Sequence, residues 1–98
     1  MTMLATDAKN REFELTIAIG APYEHPEGGW ACSSSMHGVW GDFAHMRGVD
    51  SWQALTLAYR LIANMLIHFV NEGGRLRWPD TGTPIAPEEL FPQITARD

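Results

Sequence analysis

The stretch "DSWQALTLAYRLIANMLIHFVNEGG", residues 50 to 74, limits the possible folds more than any other part of the chain. Asp50 can accept from the first unpaired backbone N–H groups and Gln53, three residues on, can reach back, the pattern of a capping box. Gly73 supplies a left-handed position at which a helix stops. The spacing therefore predicts one helix over residues 51–72, about 33 Å long at 1.5 Å per residue. At about 100° per residue, Gln53, Thr56, Arg60, Asn64, His68 and Asn71 form a polar stripe, and the remaining arc is almost wholly apolar. So wide an arc needs a sheet against it. Trp52, Leu55, Tyr59, Ile62, Leu66 and Phe69 are expected to cover that sheet, which leaves Leu57, Leu61 and Met65 on a flank where a second copy could pack as a homodimer, the alternative being that the loop at 20–29 or the tail at 84–92 folds over it with Tyr23, Leu90 or Phe91 as the lid.

The strands that would make this sheet are legible as two-residue alternations. In "EFELTIAI", Phe13, Leu15, Ile17 and Ile19 alternate with Glu12, Glu14, Thr16 and Ala18, giving one dry and one wet face. In "RLRW", Leu76 and Trp78 are expected inward and Arg75 and Arg77 outward, with "PDTG" as the following turn. A further strand is expected over residues 30–37, and residues 43–47 read as either a short strand, the favoured reading, or an irregular approach to the helix. "GAPYEHPEGG" (20–29), with two prolines and three glycines, reads as a connection outside any ladder. Residues 1–10 are small and polar without periodicity and read as a flexible tail before a single domain over 11–98. In "TPIAPEELFP", Pro87 suits the first position of a helical turn and Pro92 its end, with Leu90 and Phe91 tucked back. The fold class that follows is α+β: an antiparallel sheet of three to five strands packed on one long helix.

Charge narrows the function. Seven basic against twelve acidic residues leave a formal charge of −5, which disfavours a surface that tracks phosphates and so argues against nucleic acid. The same sign suits a basic protein partner. The apolar run 54–70 is interrupted by Arg60, Asn64 and His68 and is short for a bilayer, and the N-terminus has no apolar signal core, so no membrane is expected. Cys32 is the sole cysteine, which fits a reducing, cytoplasmic compartment.

The chemistry-bearing side chains crowd into "WACSSSMHGVWGDFAH" (30–45). If residues 30–37 are extended, Trp30, Cys32, Ser34 and Met36 face one way and Ala31, Ser33, Ser35 and His37 the other, so Cys32 and His37 cannot act as a thiolate and its base. The serines lie in no nucleophile elbow. Cys32, His37, Asp42 and His45 could each ligate a metal, but their spacing matches no zinc or calcium motif. No catalytic residue, metal site or cofactor is therefore assigned. Trp40, Asp42 and His45, in a glycine-rich turn, are the candidate partner-binding residues, with a core position for Trp40 as the rival reading. The alternative function is a small enzyme or ligand-binding domain using the 30–45 segment through Cys32, Asp42 and His45.

Trp30 and Cys32, the segment "GVDSWQALTLA" (Gly48 to Ala58), Trp78 and the pair Phe91–Pro92 together resemble a family of small bacterial proteins carrying a domain of unknown function. In that family the helix segment runs Gly-x-Asp-Ser-x-Gln-Ala-Leu-x-Leu-Ala, and the resemblance covers roughly residues 12 to 92. The opening "SSSMHG" is more polar here than the family pattern. The resemblance implies an α+β fold and carries over no catalytic residue. By size and charge alone, the chain is also similar to immunity proteins that neutralise a toxin. The expectation is thus a non-enzymatic cytoplasmic interaction domain with a basic partner.

Overall fold

The structure, a computed structural model, describes residues 1–91. The alternating segment becomes strand β2 (Glu12–Ile19), the middle strand of a five-stranded sheet. Around it lie β1 (Thr2–Thr6), β5 (Ser34–His37), β6 (Gly41–Asp42) and β8 (Arg75–Arg77), in the order β6-β5-β2-β1-β8, with every pairing antiparallel. A second, three-stranded sheet holds β3 (Tyr23–Glu24), β4 (Trp30–Cys32) and β7 (Met46–Gly48) in the order β3-β4-β7. One long helix, α1 (Ser51–Asn71), and one short turn of helix, α2 (Pro87–Leu90), complete an α+β fold.

Both ends of α1 are closed by the residues the sequence marks. The Asp50 carboxylate accepts from the Gln53 N–H at 2.8 Å, while the Gln53 side chain reaches one residue further back and accepts from the Val49 N–H at 2.7 Å. At the other end Glu72 is the cap. The Gly73 N–H donates to the Val70 carbonyl and the Gly74 N–H to the Phe69 carbonyl, both at 3.0 Å, the pair of bonds of a Schellman motif.

The helix serves both sheets. Its first half buries the small residues Ala54 and Ala58 beside Cys32, and its second half buries Ile62, Leu66 and Phe69 with Met3, Leu15, Met36 and Leu76 of the larger sheet. The small side chains allow a close approach: a Cβ on Gly48 would lie 2.6 Å from the Ala54 nitrogen, so β7 can run beside the first turn only as glycine.

Several expectations fail for identifiable reasons. Residues 1–10 are not a tail, because β1 lies between β2 and β8, buries Met3 and Ala5, and has ladder partners on both sides. The connection at 20–29 contains a ladder, since Tyr23 and Glu24 pair with Ala31 and Trp30. The strand expected over 30–37 divides at Ser33, which lets one extended segment serve both sheets, and the strand expected over 43–47 is replaced by β6 and β7. Trp78 is exposed, because β8 ends at Arg77 and the Trp78 N–H turns away to donate to Thr83; Ile85 fills the buried place beside Leu76 instead. Trp52 is 69% exposed, since the first turn of α1 meets β7 through Ala54 rather than through its large residues. Pro92, expected to end the last helical turn, lies outside the described residues.

Candidate functional site

The turn joining β5 to β6 carries "HGVWGD". Gly38 has a φ of 118° and Gly41 of 92°, and the Trp40 N–H donates to the Met36 carbonyl at 3.1 Å, closing the hairpin. Glycine is required at position 38 twice over, because a Cβ there would also sit 2.4 Å from the Glu14 carbonyl oxygen. The turn lifts Trp40 to its apex, 42% exposed, so its place is at the surface and not in the core.

Asp42 follows on β6, with its backbone opposite Ser35. Its carboxylate accepts from His37 Nε2 at 3.0 Å across the hairpin, an exposed pair that is an ion pair only when the imidazole is protonated. His45 bonds elsewhere. The Tyr23 hydroxyl and His45 Nδ1 lie 2.6 Å apart, with the two rings edge to face at a centroid distance of 5.7 Å. With the hydroxyl donating, Nε2 carries the ring proton and becomes the donor His45 can present. Sequence reasoning left Tyr23 out of the site and weighed His37 only as a base for Cys32 or a metal ligand, not as the partner of Asp42. The glycines at 38 and 41 signal the hairpin that brings His37 to Asp42, but no local pattern announces the Tyr23–His45 pair, which depends on β3 existing.

Asp42 and His45 also wall one cleft of about 350 Å³, together with Gly20, Ser33, Ser35 and Phe43. Trp40 does not line it. Along β4 and β5 the buried residues are Ala31, Cys32, Ser34 and Met36, while Trp30, Ser33 and Ser35 are half-buried and His37 is exposed; Ala31, expected on the face opposite Cys32, is buried with it because β4 is covered on both faces. Burial pushes the Cys32 thiol up from its ordinary range, and its sulfur donates to the Gly20 carbonyl at 3.2 Å. With its contacts going to backbone carbonyls and its side chain fully buried, Cys32 sits as a small core group. Among the described residues no three His, Cys, Asp or Glu side chains converge as metal ligands.

The arrangement thus offers an exposed indole, a carboxylate paired with His37 and a hydrogen-bonded Tyr–His pair on neighbouring segments. A family model described as a domain of unknown function (DUF6968) matches residues 2–86, which takes in β1 and ends before Phe91. No curated protein and no solved structure matches the chain.

Proposed function

We propose a binding role for this chain, which belongs to the DUF6968 family of domains of unknown function: a non-enzymatic interaction domain that holds a basic protein partner. Trp40, Asp42 and His45 form the contact surface. The observation that carries the reading is the exposure of Trp40 at the tip of a hairpin, beside a carboxylate, since indoles that fill a partner's pocket dominate interface energies and charges at their rim steer the encounter. Glu24 and Glu27 on the neighbouring hairpin add exposed negative charge to this part of the chain. The finer form of the proposal is an immunity-type protein of a bacterial cytoplasm that neutralises a basic toxin, supported by the small size, the charge of −5 and the single reduced cysteine.

Affinity capture from the native host with the chain and with a Trp40→Ala, Asp42→Ala double variant tests this. A basic protein should be retained by the first and lost by the second while the circular dichroism of the two coincides. Equal capture by both would remove the surface from consideration. For the immunity form, co-expression should relieve growth arrest by the captured protein. A second reading rests on the cleft beside Asp42 and His45, which suits a small ligand-binding domain or enzyme on the 30–45 segment. Metabolite binding that disappears on Asp42→Ala and His45→Ala, with protein capture unchanged, would favour it.

A further inference from the structure

At the opposite edge of the large sheet, β8 and the β1–β2 turn enclose a cleft of about 480 Å³ lined by Thr6, Asn10, Glu12, Arg75, Arg77 and Pro84, among others. Three features mark it as built for an anion. The first is register: Arg75 lies opposite Thr6, which in turn lies opposite Glu12, and Arg77 stands two residues along β8 on the same face, with Leu76 buried between them on the other.

The second is the state of the two guanidinium groups. Arg77 is paired with the Glu12 carboxylate, whereas Arg75 donates at 2.8 Å to the amide oxygen of Asn10, a neutral acceptor. Among the described residues no carboxylate pairs with Arg75, so its charge is oriented without being neutralised. A guanidinium has five N–H donors in a fixed fork, and this one is held by a single bond.

The third is the rigidity of the support. Asn10 adopts a φ of 65°, the left-handed region that asparagine tolerates better than most residues. Asp7 holds it there: its carboxylate accepts from the Lys9 and Arg11 N–H groups at 2.9 Å and from Arg11 Nε at 2.8 Å, and its carbonyl accepts from the Asn10 N–H at 2.9 Å. Those contacts, the Arg11 N–H first, keep the Asp7 carboxyl below the usual carboxylate range. The surrounding charge also differs from that of the whole chain. Residues 7–12 and 75–84 hold four basic and three acidic side chains, while the rest of the chain holds three basic and nine acidic.

We propose that this cleft binds the phosphate group of a small phosphate monoester, with Arg75 as its principal anchor and Arg77 as its second. Arg77 already has a carboxylate, so an incoming anion must carry more charge and more acceptor oxygens than Glu12 offers, as a phosphate monoester does. The remaining volume accommodates a small organic group against Pro84.

Titration of the full chain with glycerol 3-phosphate at constant ionic strength, followed by two-dimensional amide NMR, tests the site. The amides of Thr6, Asn10, Arg75, Arg77 and Gly82 should shift along one saturable curve. Glycerol should shift none of them, and acetate should bind about tenfold more weakly. Arg75→Gln should weaken glycerol 3-phosphate binding about tenfold, and Arg60→Gln on the exposed face of α1 should leave it unchanged. If Arg75→Gln fails to fold, Arg75→Lys keeps the charge without the fork and should still bind more weakly than the original chain. Shifts that do not saturate, acetate binding as tight as glycerol 3-phosphate, or equal binding by the folded Arg75 variant would each overturn the proposal.

Discussion

Ser34 is 4% exposed and its hydroxyl meets no hydrogen-bond partner among the described residues, the least favourable situation for a small polar side chain. Removing the hydroxyl should therefore help: Ser34→Ala is expected to raise the unfolding free energy by on the order of 1 kcal/mol, seen as a higher urea midpoint. A lower midpoint would mean that the hydroxyl has a partner in solution. Two residues away, Cys32 makes the opposite point. Burial raises its pKa, so on unfolding the thiol loses its proton at lower pH than it does in the fold. Its contribution to stability is full below the ordinary thiol range and is lost as pH climbs through and above that range. Thiol reagents at neutral pH should label Cys32 only as fast as the chain opens, and rapid labelling of folded protein would contradict its burial. The expected separation of Cys32 from His37 rested on a single strand over 30–37, whereas here Cys32 ends β4 of one sheet and His37 ends β5 of the other. The pairing of His45 with Tyr23 was not legible in the sequence, because it joins residues 22 apart across a ladder of two residues.

Among the elements, those with long periodic signals were readable. The eight residues of β2 alternate cleanly, and α1 carries its own start and stop signals, so the sequence reading and the fold differ by one residue at the helix end. The two-residue strands β3 and β6 cannot show a period at all, and in β1 the alternation of Met3 and Ala5 is hidden by the apolar Leu4 between them. Large size also misled at the helix ends of the pattern: Trp52 and Trp78 suit a core by volume, but the first turn of α1 and the end of β8 leave the layer before either can be covered. The packing of α1 yields a paired prediction. Ile62→Ala, at a fully buried position, should cost about 2–5 kcal/mol, whereas Gln53→Ala, which removes only an acceptor for the Val49 N–H, should cost far less. Urea melts of the two variants would reveal comparable midpoints if Ile62 were outside the core. Gly48→Ala should be costly as well, since its Cβ would meet helix backbone that cannot yield without moving α1.

For the molecule as a whole, one helix must cover two sheets, and it does so with a single buried stripe, Ala54, Ala58, Ile62, Leu66 and Phe69. Phe91 closes one side of that stripe, buried with its ring 4.9 Å from that of Tyr59, edge to face. At about 100° per residue, Leu61 lies on roughly the opposite side of the helix from Tyr59, away from Phe91. Leu57, Leu61 and Met65 remain half-buried, next to the exposed His68. We expect a two-fold dimer through this flank, because one small apolar patch can meet its own copy and bury the part of the arc that neither sheet covers. The flank is narrow, so the association should be weak and governed by concentration. Light scattering over a micromolar series should show the mean mass rising from the monomer value towards twice it, and Leu61→Glu should hold it at the monomer value by placing an unpaired carboxylate in the contact. A monomer mass throughout, with the original chain and Leu61→Glu indistinguishable, would mean that the half-buried flank is an ordinary solvent boundary.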